Sequence, residues 1–216
     1  MNTTSSTTAI DRAPDSAALA AALSRWCDAL VVAAPELNAL DARLGDGDLG
    51  LTLQRCAENV AAVLPTAGDE PKAIFKACAA ACAKASGSSF GTLLTVAFMT
   101  AARSAHAVSP FGRDTIAALL DEVLAALMAR GGAKLGDKTM LDSLDAIGRA
   151  LREMPATADA CALRRQALDA SNAALDALRG QPNKIGRARM FAAQSIGMDD
   201  PGMVAVLRMV EALQAG

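Results

Sequence analysis

Three carboxylates, Asp41, Asp46 and Asp48, fall within eight residues of the stretch Leu40 to Thr52, LDARLGDGDLGLT. Two glycines, Gly45 and Gly47, lie among them, and Gly50 follows. At this spacing the three would not share one face of a continuous helix. The glycines predict that a helix stops near Arg43 and that the backbone folds into a tight loop. Such a loop can turn all three side chains towards one point. Gathered there, they repel: at roughly 5 Å and an effective dielectric near 20, each ionised pair costs about 3 kcal/mol. A cation relieves that cost, and an all-oxygen donor set suits a hard one, Mg2+ or Ca2+. The spacing does not fit an EF-hand loop, which ends in Glu. The alternative reading is a solvated acidic turn, with Asp48 as the N-cap of the next helix.

Four further segments could carry chemistry. Ser86 to Thr92, SGSSFGT, leads into an apolar stretch. A Gly/Ser/Thr turn at a helix N-terminus presents free N–H groups and suits an anion, although it also serves as an ordinary helix-to-helix turn. Leu135 to Asp142, LGDKTMLD, offers Asp137 and Thr139 as helix caps. Lys184, Arg187 and Arg189 form a basic run, either a solvated face or a surface for an anionic ligand. Ser195 to Gly202, SIGMDDPG, is a polar turn with two more aspartates. The single histidine, His106, has no acidic or nucleophilic neighbour in sequence and reads as a surface or cap residue. Cys78 and Cys82 share a helix face at i, i+4, which fits core packing better than a metal, because no partner His or Cys pattern accompanies them.

The elements that must position these residues read as helices. Apolar residues make up 52% of the 216, aromatics only 3%, and there is no Tyr. Ala and Leu favour helices, whereas strands favour aromatic and β-branched residues, so the chain is expected to be all-α. Helices are predicted at about Ser16 to Ala34, with Pro35 ending or kinking the first, and then at Glu36 to Arg43 and Asp48 to Leu64. Others follow at Lys72 to Ala85, Leu93 to Ala105, Asp114 to Arg130, near Thr139 to Met154, Ala160 to Leu178 and Met203 to Leu213. Gly131-Gly132 reads as a C-cap. Residues 1–14 read as a disordered tail, and 15–216 as one domain. A net charge of −2 and few rings argue against nucleic acid. No apolar run approaches the ~20 residues of a membrane span, and the N-terminus lacks a signal-peptide core. Five cysteines, an odd number, fit reduced thiols in the cytoplasm. In an antiparallel bundle alternate loops gather at one end. The acidic loop, the Gly/Ser turn and the basic run on one rim would suit a Mg-nucleotide.

Taken together, these segments resemble the nucleotide-binding L subunit of bacterial dihydroxyacetone kinases. The matches are Asp41-x4-Asp46-Gly-Asp48-x-Gly50, Ala85-Ser86-Gly87 with Phe90-Gly91-Thr92, and Gly136-Asp137-Lys138-Thr139-Met140. Lys184-x-Gly186-Arg187-Ala188 and Ser195-Ile196-Gly197 with Asp200-Pro201-Gly202 complete them in the family's order. The resemblance implies a barrel of about eight antiparallel helices with a nucleotide site at one end. It implies that Asp41, Asp46 and Asp48 hold two Mg2+ ions bridging the phosphates of ADP or ATP. Leu49, Gly50, Leu51 and Thr52, with Ala85, Ser86 and Gly87, would lie against the phosphates. Gly131, Met140, Arg187, Asp200, Pro201 and Gly202 would frame adenine, ribose and phosphates. Arg187, and less directly Lys184, would stabilise phosphate charge during transfer.

The implied activity is phosphoryl transfer to a small ketose held covalently by a separate K-type subunit, which makes this chain half of an enzyme. The donor would be exchanging ATP, or a bound nucleotide recharged by a phosphoenolpyruvate-dependent phosphotransferase protein; a homodimer is a further expectation. Four places depart from the family. Leu49 stands for its usual His, Thr52 for Asn, Lys84-Ala85 for a Gly-Gly-Ala segment, and Ser88-Ser89 for Pro plus an apolar residue. The alternative is a non-catalytic nucleotide-binding regulator with the same fold.

Overall fold

The computed structural model describes residues 16–85, 89–105 and 112–214. The expected tail, Ser86, Gly87 and His106 lie outside the described residues. Eight α-helices and no strand occur among those described: α1 (Ser16–Leu44), α2 (Leu49–Val63), α3 (Pro71–Ala85), α4 (Ser89–Ser104), α5 (Arg113–Gly131), α6 (Met140–Glu153), α7 (Ala160–Arg179) and α8 (Pro201–Glu211). Each packs on the next in sequence, and α8 returns to α1, closing the ring. Short connections make neighbours antiparallel, so the loops after α1, α3, α5 and α7 share one rim. The centre of the bundle is apolar: Leu30, Leu37, Leu53, Cys56, Val60, Cys78 and Leu127 have no exposed surface.

Two expected boundaries were misplaced. Helix α1 runs through Pro35 without a break. Proline cannot bond the carbonyl four residues back. Here Pro35 faces water with Val31 and Val32, so the orphaned Val31 carbonyl can be hydrated. Ala33, Ala34 and Leu37, on the other face, are buried and hold the two halves in line. Helix α4 begins at Ser89 rather than Leu93, because Gly91 is buried within its first turn instead of breaking it. The other helix ends agree to within one or two residues. Among the described residues, one 18-residue window, in α1 and with mean hydropathy 1.5, is apolar enough to cross a membrane by length and composition. Its apolar face is instead packed into the bundle through Leu23, Trp26, Leu30 and Leu37.

Gly50 fixes the geometry that matters for the rim. A Cβ there would lie 2.0 Å from the Ala34 carbonyl oxygen and 2.8 Å from Asn38 Oδ1. Only glycine lets α2 start against α1. Asn38 Oδ1 accepts from the Leu51 N–H at 3.0 Å and pins the crossing. Cys27, Cys56, Cys78 and Cys82 are free and buried, and burial pushes Cys27 and Cys78 up to about 12. All four are core residues, and the raised Cys27 and Cys78 thiols stay protonated at neutral pH.

Candidate functional site

The loop between α1 and α2 brings its three aspartates together. One carboxylate oxygen from each of Asp41, Asp46 and Asp48 lies within 4.8 Å of the others. Gly47, at φ +74°, supplies the left-handed turn that folds Asp46 and Asp48 back. Asp48 occupies the N-cap position of α2, but its side chain makes no cap hydrogen bond. Asp41 does that work: its Oδ2 accepts from the N–H groups of Asp48 at 2.9 Å and Leu49 at 3.2 Å. Asp48 thus holds the expected N-cap position without making the side-chain cap bond. Its carboxylate, like that of Asp46, is exposed. The donor set is all oxygen and converges without His or Cys, which fits a hard divalent cation.

The segment between α7 and α8 reaches this loop. Arg187, first residue of a short 3-10 helix (Arg187–Phe191), forms an ion pair with Asp46. A buried polar network holds the segment at both ends. Lys138 is 1% exposed and is the sole described non-glycine residue with positive φ, at 62°. Its Nζ donates to the carbonyls of Gln181 and Ser195 at 2.8 Å each, and of Arg179 at 3.2 Å. Asn183 Nδ2 donates to the Lys138 carbonyl at 3.0 Å and to Asp200 Oδ1 at 2.7 Å. The Asn183 N–H donates to Ser195 Oγ at 2.8 Å. Lys184 donates to the Gly136 carbonyl at 2.7 Å, so its ammonium clasps the α5–α6 loop rather than pointing free.

Asp200 is the buried N-cap of α8, with Oδ2 accepting from the Met203 N–H at 2.9 Å. Burial pushes its carboxyl up to about 6, opposed by the hydrogen bonds from Met203, Asn183 and Gly202 and by the charge of Lys138. A raised carboxyl favours folding in its protonated form. Its stabilisation is complete below the ordinary value of 3.8 and disappears as pH rises through about 6. The shift corresponds to about 3 kcal/mol. Unfolding curves between pH 4 and 7 are expected to show Asp200→Asn losing less stability with rising pH than the parent chain, by about that amount. Parallel profiles would contradict it.

Beside the network opens a cleft of about 620 Å3. Leu93, Leu127, Ala133, Met140, Leu141 and Ile185 give it apolar walls; Ser89, Thr92, Arg130 and Thr139 supply polar groups. Ser89 and Thr92 lie on the first turn of α4, whose N–H groups and positive dipole end face the rim. Thr139 caps α6 with a capping box shared with Asp142. Gly186 lines the cleft, and its neighbour Arg187 is the residue paired with Asp46, so cleft and acidic loop adjoin.

Of the residues expected at the site, Gly131 and Met140 line the cleft. Pro201 and Asp200 are buried behind it, with Gly202 beside the Phe90 ring and the Met140 backbone. Leu49 gives its side chain to the core, and its N–H is already used by Asp41. Thr52 is also buried, and Ala85 packs on the core. At 49–52 only Leu51 is well exposed, at 40%. Sequence reasoning missed Lys138, Asn183 and Ser195 as a network, and Arg130 and Ile185 as cleft residues. A lysine just before a cap threonine, inside a glycine-rich turn, was the one available sign of the network.

Comparisons with known proteins agree with the fold. The DAK2 domain matches residues 43–215. The chain is 32% identical over 213 residues to the Homo sapiens triokinase/FMN cyclase, covering 93% of this chain and 36% of that protein. It is 28% identical over 194 residues to the ADP-binding subunit DhaL of the PEP-dependent dihydroxyacetone kinase of Escherichia coli, covering 88% of this chain and 92% of that one. Among solved structures, the dihydroxyacetone kinase from C. freundii in complex with AMP-PNP and Mg2+ superposes with a TM-score of 0.71 at 25% identity, over 100% of this chain and 37% of that one. The chain thus spans about a third of the human and C. freundii proteins.

Proposed function

Because the chain belongs to the DAK2-domain family, we propose that it binds Mg-ADP and Mg-ATP and serves as the phosphoryl-donor half of a ketose kinase. One observation carries this reading: Gly186 forms a wall of the cleft while Arg187 sits on Asp46 of the acidic trio. A ligand with a flat apolar group in the cleft must run its other end past Arg187 to the aspartates. A nucleoside polyphosphate has that shape and that charge order.

The apolar walls would take the base, with Met140 and Leu93 against its faces. The first turn of α4 would donate N–H groups to phosphate oxygens. Arg187 would bind the terminal phosphates, where a forked guanidinium stabilises spreading negative charge. Asp41, Asp46 and Asp48 would hold the metal, with Asp41 fixed by its two backbone donors. Bound there, Mg2+ would neutralise the polyphosphate and align it for in-line transfer. The acceptor, a small ketose such as dihydroxyacetone, would be presented by a K-type partner, because no histidine stands at this rim among the described residues. The free buried cysteines support a reducing compartment, the cytoplasm.

Steady-state assays of the chain with ATP, Mg2+ and dihydroxyacetone test the reading. Turnover is expected only when a ketose-binding K-type subunit is added. Tight Mg-ADP binding without turnover in any such mixture would favour a nucleotide-binding regulator, which the inward-facing Leu49 side chain would then explain.

A further inference from the structure

Asp46 carries two obligations. It is one of the three carboxylates that converge, and it is also the partner of Arg187. A divalent cation and a guanidinium cannot both hold one carboxylate closely without repelling each other. We propose that Arg187 is a latch on the acidic loop: it competes with the divalent cation for Asp46, and nucleotide phosphates draw it away, so that metal and nucleotide bind as a coupled pair. This rests on the nucleotide-site reading above and adds a role for Arg187 before any transfer occurs.

The surroundings of Arg187 suit a side chain that swings on a fixed base. Its backbone segment is anchored before it by Asn183 and Lys184 and after it by Ser195. The backbone therefore cannot carry the charge far from the aspartates. The side chain itself is 61% exposed, and its Asp46 partner 41%. A pair this open is worth little, so it is easily exchanged for a better anion. A polyphosphate in the adjoining cleft is such an anion, because a guanidinium binds phosphate oxygens in a forked geometry. The coupling is then reciprocal: a nucleotide that removes Arg187 from Asp46 raises metal affinity, and the metal, by occupying Asp46, frees Arg187 for the nucleotide.

Mn2+ alone, without nucleotide, is the probe. Its binding is read from the electron paramagnetic resonance signal of free Mn2+ for the parent chain, Arg187→Ala and Arg189→Ala, with circular dichroism to check folding. Arg189 lies on the same 3-10 helix and controls for the loss of one positive charge nearby. Arg187→Ala is expected to bind Mn2+ about three- to five-fold more tightly than the parent, the size of a partly exposed ion pair. Arg189→Ala should change by less than half of that. With ADP present the order should reverse, the Arg187→Ala chain binding Mn-ADP more weakly than the parent. Unchanged Mn2+ affinity in Arg187→Ala, equal tightening in both variants, or no Mn2+ binding by any of the three would overturn the latch. If Mn-ADP still binds in those cases, the nucleotide-site reading stands without it; if Mn-ADP does not bind either, that reading falls as well.

Discussion

Replacing Asp46 by Asn is expected to weaken Mg-dependent ADP binding by at least 100-fold, roughly, while leaving helical content unchanged; removing even an outer-shell partner of a metal costs ~10–100-fold, and this carboxylate would touch the ion. The size follows from the donor set. With three carboxylates, one neutral amide removes a third of the ligand charge, and an amide oxygen is a much weaker donor to a hard cation. Asp46 is the right choice among the three. Asp41 also accepts the N–H groups of Asp48 and Leu49 where α2 begins, so its loss would mix folding with binding. Asp46 is exposed and no backbone hydrogen bond to it is seen, so its loss should leave α1 and α2 in place. Isothermal titration of ADP with Mg2+, beside far-ultraviolet circular dichroism, reads both quantities. Undiminished ADP affinity would remove the metal role from this loop.

Lys138→Met is expected to cost about 3 to 4 kcal/mol of stability, because a buried carbonyl left without its donor costs roughly 1–3 kcal/mol. Three carbonyls, those of Arg179, Gln181 and Ser195, lose the Nζ donor together. Two of them keep a backbone donor, from Gly197 to Arg179 and from Met198 to Ser195, so the sum falls short of three full penalties. Methionine nearly matches the lysine in volume, and both strain equally at φ 62°, so packing and backbone terms largely cancel. For a domain of this size the loss corresponds to a melting temperature lower by roughly 10 °C. The α7–α8 segment should also loosen from the α5–α6 loop, weakening nucleotide binding through Arg187 and Gly186. A loss below about 1 kcal/mol would mean that the ammonium contributes little there, water having replaced it at the carbonyls.

Sequence patterns carried the helices well because each has an apolar stripe and a recognisable stop. Gly132 at φ 70° and the Thr139 capping box both do what their residue types suggest. Pro35 misled because its effect depends on which side faces water, and that is set by α2 and α8, not by local sequence. Gly91 misled because a glycine buried by a neighbouring helix and a glycine that breaks one look the same in sequence. The acidic trio was legible because three like charges so close need a cause. The division of labour within it was not: only the fold places Asp41 under α2 as its cap and leaves Asp46 to face Arg187. The buried network was the least legible part. Lys138, Asn183 and Ser195 are polar residues in loops, which is where solvated residues also occur, and their contacts span 12 to 57 positions of sequence.

The most direct measurement is calorimetric titration of ADP and ATP into the purified chain, first with Mg2+ and then with EDTA. Binding at micromolar or tighter concentration that disappears with the chelator is the predicted result. It would place a metal-bridged nucleotide at the rim formed by the acidic loop, Arg187 and the cleft. Equal affinity in Mg2+ and EDTA, or no binding of either nucleotide, would contradict that arrangement and leave the fold without its proposed ligand.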